Sequence, residues 1–230
     1  MVQQAGPDRG RVLAVAQRCT GQAPLQDAGQ LLALGGQGLF DDVHADPLSP
    51  RQLLLAGAPA YARHGLAAHA LRENLLLDMD TAGLRSGMVL QVGTDALLWL
   101  TFQCEACGQL DAIAPGLARR IGPQRGMLAR VLRGGIIRPG DAVSMLPGGL
   151  PPWSDDWRQR AVAVLAAVPD GMVLEYRQLA RLIGVQSSYC RALPRLARAA
   201  GLGGKAVTLQ DRSSAPRWQG RELFGASAGA

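Results

Sequence analysis

Apolar and polar positions change rhythm once along the chain, near residue 150. Before that point, short apolar runs alternate with glycine-centred breaks, the rhythm of strands joined by tight turns. Met88–Val92 and Ala96–Phe102 flank Gly93-Thr94-Asp95, and Met127–Leu132 and Ile136–Met145 flank Gly134-Gly135, so each set reads as two strands around a turn. Pro139-Gly140-Asp141 adds a turn or bulge inside the last of these. Pro50–Ala56 and Gly116–Ile121 predict short helices. Residues 1–146 therefore read as a β-rich domain with helical insertions, a closed or nearly closed barrel. Pro147-Gly148-Gly149-Leu150-Pro151-Pro152 cannot continue a helix and is poor strand material, which predicts a stiff linker over 147–153.

Over 154–230 the period becomes helical. Ser154 or Asp155 can cap a helix running to about Val168, with Ala161, Val164, Leu165 and Val168 on one face, and Pro169-Asp170-Gly171 ends it. Met172–Tyr176 reads as a short strand, Arg177–Ile183 as a short helix stopped by Gly184, and Ser187 or Ser188 starts another helix ended by Gly201. Helix, strand, helix, turn, helix is the order of a winged helix-turn-helix, with Lys205–Gln210 and Arg217–Leu223 left for a wing or tail. The fold class expected is α+β: a barrel-like domain followed by a small helical one.

Composition narrows the classes. Of 230 residues, 48% are hydrophobic and 18% charged, which excludes general disorder. No apolar run approaches the ~18 residues of a membrane span, no signal peptide is visible, and four cysteines make no disulfide scaffold at this length, so a cytoplasmic chain with reduced thiols and no membrane partner is expected. Lys205 is the sole lysine among 24 basic side chains, which points to coding bias before chemistry. Charge is uneven: residues 1–150 carry 13 Arg against 12 acids, and residues 151–230 carry 10 Arg and one Lys against 6 acids, a net of +5. Nucleic acid is therefore a candidate partner for the C-terminal third alone, against the plainer reading of a solvated arginine-rich surface.

The sharpest chemical feature is Thr101-Phe102-Gln103-Cys104-Glu105-Ala106-Cys107-Gly108. A CxxC pair suits a metal, a redox couple or a sulfur relay, or is two inert thiols. Structural zinc needs four ligands, and Cys19, Cys190 and three histidines offer no second close pair. A thioredoxin-like role needs the pair at a helix start after a βαβ unit, a context missing here. The pair follows a strand and enters a loop, where functional groups concentrate.

Six motifs in order give residues 11–146 a family resemblance. They are Gly38-Leu39-Phe40-Asp41-Asp42-Val43-His44, then Ser49-Pro50-Arg51-Gln52, Leu71-Arg72-Glu73-Asn74-Leu75, Thr101 with Cys104 and Cys107, Gly122-Pro123-Gln124-Arg125-Gly126, and Gly135 to Val143. The series resembles the MOSC family, named for the C-terminal domain of molybdenum-cofactor sulfurases. The chain departs from it at Asp41, where glycine is usual, and at Pro123-Gln124, which replaces a more basic pair. The resemblance implies a barrel with a cysteine tied to sulfur or molybdenum chemistry, and a sulfur donor or a molybdoenzyme as partner. It makes Cys107 the catalytic and metal-ligating thiol, because single-cysteine relatives keep the position before the Gly-Gln-Leu-type segment. Asp42, His44, Glu73, Asn74, Thr101, Cys104, Arg125 and Gly126 become candidates for holding the molybdenum cofactor. Each has a plain alternative: Asp42 as a turn residue, His44 as a satisfied core histidine, Glu73-Asn74 as a backbone-bonding corner. No pyridoxal-phosphate chemistry is expected, since Lys205 lies outside the barrel-like part.

Residues 155–224 resemble the DNA-binding domain of methylated-DNA–cysteine alkyltransferases. The matching residues are Val168-Pro169-Asp170-Gly171-Met172-Val173, Glu175-Tyr176-Arg177-Gln178-Leu179-Ala180, Ile183-Gly184 and Cys190-Arg191-Ala192-Leu193. The family places a tyrosine and a finger-like arginine at Tyr176 and Arg191. Its Pro-Cys-His-Arg active-site motif is replaced by Lys205-Ala206-Val207-Thr208-Leu209-Gln210, so alkyl transfer is not expected. A DNA or RNA reader is what remains. Arg191, Arg195 and Arg198 would share one face of a helix from Ser187, suiting phosphate contact or a solvated basic face, while Pro194 would kink that helix. Two functions stay open: sulfur or molybdenum-cofactor handling through Cys107, and a non-enzymatic nucleic-acid-binding or regulatory protein whose barrel senses a small molecule.

Overall fold

Seven strands close into a ring. The computed structural model describes residues 8–21, 24–211 and 214–225. In chain order its first elements are β1 (Asp8–Gln17), β2 (Gln26–Ala28), β3 (Leu31–Leu34), β4 (Gly38–Leu39), β5 (Leu53–Gly57), α1 (Ala58–His64), β6 (Leu75–Leu77), β7 (Val89–Val92) and β8 (Ala96–Gln103). There follow α2 (Leu117–Ile121), β9 (Met127–Arg133), β10 (Gly135–Ile137) and β11 (Ala142–Met145). The ring runs β11-β7-β8-β9-β5-β6-β1 and closes by antiparallel pairing of β1 with β11. Val12 N donates to Asp141 O at 2.9 Å and Gly140 N to Val12 O at 2.7 Å along that seam. The pair β5–β6 is parallel, and the crossover it requires holds α1. β2 extends β1, and β10, β3 and β4 make a separate small sheet.

Alternation explains the core. Leu53, Leu55, Met127, Ala129, Val131, Leu98 and Leu100 point inward with Val12, Val15, Leu75 and Leu77. Leu54 and Leu128 point the other way, onto Phe102, Cys104 and Trp153. β5 is thus buried on both faces, which corrects the expectation of a helix over Pro50–Ala56. A continuous apolar run has no periodicity to separate strand from helix, and pairing with β9 and β6 settles it. The hairpin over β7 and β8 matches its turn signal. Ile136–Met145 is not one strand pairing back on β9: Pro139-Gly140 splits it, so that β10 pairs with β3, and β11 pairs with β1 and β7.

The chain divides into two units, Met1–Pro47 with Arg51–Trp153, and Leu48–Pro50 with Ser154–Ala230. The second holds α3 (Trp157–Ala166), β12 (Leu174–Glu175), α4 (Tyr176–Leu182), a 3-10 turn (Ser187–Arg191), α5 (Leu193–Ala199) and β13 (Ala206–Val207). Asp156, not Ser154 or Asp155, caps α3, accepting from Arg158 N at 2.9 Å. Ala161, Val164, Leu165, Leu179, Leu182, Ile183, Leu193 and Ala197 make an aliphatic core, and Arg160 is buried on the carbonyls of Ile183, Ser154 and Asp155. The helix expected from Ser187 is two pieces, because Pro194 stands in the first turn of α5, where its ring suits a helix start and not a helix interior. β12 and β13 pair in parallel, as do Val173 and Arg217, so the segments assigned to a wing line up beside 173–175 and form no antiparallel hairpin among the described residues.

Candidate functional site

The loop between β4 and β5 is set by two buried polar side chains. Gln52 donates to Gly36 O and Asp46 O, both at 2.9 Å, and accepts from Val131 N at 2.8 Å. Arg130 donates to Pro47 O at 3.1 Å, and burial lowers its pKa to about 10. Held this way, the loop brings Asp42 under β1. Its Oδ2 accepts from Arg18 N at 3.0 Å and from Asn74 Nδ2 at 3.2 Å, while Oδ1 accepts from His44 N at 2.8 Å and lies 3.1 Å from His44 Nδ1. Burial pulls the Asp42 carboxyl upward, but these hydrogen bonds outweigh it and hold the group below the usual carboxylate range. Asn74 also donates to Ala16 O at 3.1 Å and accepts from Leu54 N at 3.1 Å. Its donors and acceptor are spent on β1, β5 and Asp42, the backbone-bonding corner that was one of the two readings. His44 is exposed at the rim of this knot.

Glu73 faces a different cluster. Tyr61 of α1 donates to Glu73 Oε2 at 2.5 Å and its oxygen accepts from Leu71 N at 3.2 Å. Arg125 donates to Leu71 O at 2.7 Å, and its Nε is buried with no hydrogen-bond partner. Burial raises the Glu73 pKa against the opposing pull of the Tyr61 hydroxyl and the charges of His69 and Arg125. Burial and the Glu73 charge push the Tyr61 phenol up. Beside it, Gln124 Oε1 accepts from Arg63 and His64 at 3.2 Å each, and its amide donates to Asp80 at 3.3 Å. Arg63, at the end of α1, thus brings positive charge to the place where Pro123-Gln124 had removed it from the motif, with His64 bonded beside it. Among the described residues, the positive-φ residues other than glycine are Asp41, His69 and Arg72, at φ 60°, 61° and 56°, and all three adjoin these two clusters. Such backbone persists where its surroundings over-determine it, often near functional groups.

The cysteine segment is pinned at both ends. Cys104 N donates to Gly126 O at 2.9 Å, and the Cys104 side chain is buried among Leu54, Phe102 and Leu128. Gln109 accepts from Arg72 at 3.2 Å, and Leu110 packs with Leu71, Ala60 and Ile121. Between those anchors Cys107 is exposed at the head of the 3-10 turn Gly108–Ala112. Gly126 has φ +112°, and a Cβ there would stand 2.4 Å from Leu55 O, so the Arg125–Gly126 segment lies directly on β5. Thr101 is buried within β8, donating to Leu128 O at 3.1 Å and accepting from the Ser86 hydroxyl. The sequence candidates therefore fall into an Asp42–His44–Asn74 knot and a Glu73–Arg125 cluster near the Cys107 turn, with Thr101 in the barrel wall and Cys104 in the apolar cluster on its outer side.

Residues 52–144 match the family model of the MOSC domain. They are a MOSC domain. The structure of the YUAD protein from Bacillus subtilis aligns at 18% identity and a TM-score of 0.53, covering 59% of this chain and 94% of that one. A protein described as hypothetical aligns at 20% identity and a TM-score of 0.52, covering 84% and 92%. Both share the fold. YiiM from Escherichia coli aligns at 18% identity and a TM-score of 0.48, covering 90% of this chain and 99% of that one. No curated protein matches the chain by sequence. No helix among the described residues is long and apolar enough to cross a membrane.

The MOSC domain's fit to a molybdenum cofactor rests on two features. Arg125 keeps a buried N–H with no protein partner beside the Cys107 turn, as an anionic cofactor would require. Cys107 supplies a soft donor. Among the described residues no group of three or more His, Cys, Asp or Glu could hold a metal ion, so a metal there would take most of its ligands from the cofactor. Asp42 and Asn74 have their polar atoms committed to the fold. Tyr61, Arg63 and His64 join the site without any sequence motif; the one available signal was an aromatic residue in a short helix bounded by Gly57-Ala58-Pro59 and Gly65.

In the second unit, Tyr176 opens α4 and is half-buried; burial raises its pKa against the opposing charge of Arg198. Arg191, Arg195 and Arg198 are all exposed, Arg191 on the 3-10 turn and the other two on α5. Cys190 Sγ donates to Tyr176 O at 3.6 Å.

Proposed function

We propose that the MOSC domain carries or transfers sulfur through Cys107, and that Arg125 and Cys107 would hold a molybdenum cofactor. The carrying observation is the contrast within the CxxC pair: Cys104 is sealed in an apolar cluster, while Cys107 is exposed on a turn anchored on both sides. A thiolate at Cys107 attacks the outer sulfur of a sulfane-sulfur donor; the new Cys107 S–S bond forms as the donor's S–S bond breaks, and the donor leaves with the electron pair. The cofactor, when bound, supplies a redox-active metal for which a thiolate is a soft ligand. Arg125 offers its unpartnered N–H to an anionic group, and the Tyr61–Glu73 pair holds the Leu71 backbone against which the cysteine turn packs.

Cys107→Ser is expected to abolish protein-bound sulfane sulfur or molybdenum with the fold intact, while Cys104→Ser loses less. Elemental analysis and persulfide trapping with mass spectrometry on natively purified protein read this directly. Equal retention in Cys107→Ser sinks the assignment.

A second reading concerns the C-terminal unit: a non-catalytic, alkyltransferase-like module that reads nucleic acid through Tyr176, Arg191, Arg195 and Arg198. The exposure of Arg191, Arg195 and Arg198 and the net charge of +5 over residues 151–230 support it. Salt-sensitive binding of DNA by the full chain, free of metal and sulfur, would favour this reading for the whole protein.

A further inference from the structure

The second unit buries Trp218 among its aliphatic residues, while two further large aromatic rings, Trp157 and Tyr189, are only partly buried. Trp157 opens α3, and its ring meets that of Tyr189 edge to face, with centroids 5.1 Å apart at 84°. The Arg158 guanidinium lies 4.7 Å over the Trp157 ring, and its side chain is 62% exposed. Tyr189 is followed by Cys190, whose Sγ donates to the Tyr176 carbonyl at 3.6 Å. Arg191 is exposed two residues after Tyr189. These contacts set the Arg158 guanidinium, the Trp157 ring and the Tyr189 ring side by side in one run, with the exposed Arg191 next along the chain. The acid paired within it is Asp156, 3.8 Å from Arg158 and already used as the α3 cap.

We infer that this run binds an unpaired nucleic-acid strand, bases stacking on the Tyr189 and Trp157 rings and phosphates meeting Arg158 and Arg191. The inference deepens the nucleic-acid reading of the C-terminal unit and rests on it. Two features favour a strand over a duplex. Groove reading wants a continuous recognition helix, and here the segment is a 3-10 turn followed by a seven-residue α5, about 10 Å long. Partly exposed rings with adjacent guanidinium groups are what single-strand surfaces use, because every base has a face to stack and the backbone charge needs no fixed register.

The test is fluorescence anisotropy of labelled oligothymidylate, and of a labelled duplex of equal length, titrated at low salt with the full chain. The single strand is expected to bind more tightly than the duplex. Tyr189→Ala should weaken strand binding by about 5- to 150-fold, the range for losing one stacked base. Tyr189→Leu, which keeps apolar volume without a π-face, should behave like Tyr189→Ala, and Tyr189→Phe like the parent. Arg158→Gln should flatten the log-affinity against log-salt slope by about 0.7. Duplex binding that equals or exceeds strand binding overturns the inference and leaves the nucleic-acid reading standing. Equal strand binding by the Leu and Phe variants overturns it as well. Absence of binding to either probe at high micromolar protein overturns both.

Discussion

Asp42 and Glu73 are both buried carboxyl groups one residue from Asn74 or bonded to it, and their surroundings drive them in opposite directions. Glu73 has a raised pKa, so the folded chain retains a proton that the unfolded chain has released. Its contribution to stability is present at pH below the ordinary carboxylate range and is lost as pH rises toward the raised value. Asp42, with its lowered pKa, contributes stability above that range, lost as pH falls through its folded value. Glu73→Gln should therefore gain stability relative to the parent as pH climbs from about 4 to 7, measured by urea unfolding across that window. A flat difference would refute the burial argument. Tyr61→Phe, which strips a buried carboxyl of its hydroxyl donor, should cost about 1–3 kcal/mol at neutral pH. Gly126→Ala faces a left-handed backbone and the Leu55 carbonyl together, so a loss of about 2–4 kcal/mol in the same experiment is expected.

Among the elements, those marked by turn chemistry were legible. Gly93-Thr94-Asp95 announced the β7–β8 hairpin, and Gly184 announced the end of the helix before it. Elements defined by long-range pairing were not. Leu53-Leu54-Leu55-Ala56 reads equally as helix or strand until β9 and β6 are known to flank it. The candidate site divides the same way. Cys107 and Arg125 stand in recognisable motifs, whereas Tyr61 reaches Glu73 only because the β5–β6 crossover folds α1 back beside Leu71. Pro194 is a further case, a kink by sequence and a helix start in space. Pro194→Ala should accordingly change stability by no more than about 0.5 kcal/mol, since no interior hydrogen bond is restored by removing a first-turn proline. A gain of helicity in circular dichroism spanning Ser187–Ala199 would contradict this.

At the scale of the molecule, the chain carries a MOSC domain over residues 52–144 and a second unit whose sequence holds no cysteine after Cys190. In that unit Ala206 and Val207 pair with β12, and Cys190 Sγ donates to the Tyr176 carbonyl. Incubation with DNA carrying labelled O6-methylguanine should leave the protein unlabelled; stoichiometric uptake would show that Cys190 substitutes for the missing nucleophile. The barrel's seam has a consequence of another kind. It joins β1 to β11, with Arg11 bonded to a carbonyl 129 residues away. Closing so long a loop carries a large entropic cost before any seam contact rewards it, so the ring should close late. During synthesis the Asp8–Arg11 stretch of β1 waits unpaired until β11 leaves the ribosome, and the exposed Leu13 beside it adds an apolar patch to that interval. Refolding should show a slow phase in which amides of β1 and β11 gain protection after those of the β7–β8 hairpin, and the half-closed barrel is the state in which this protein would depend most on a chaperone.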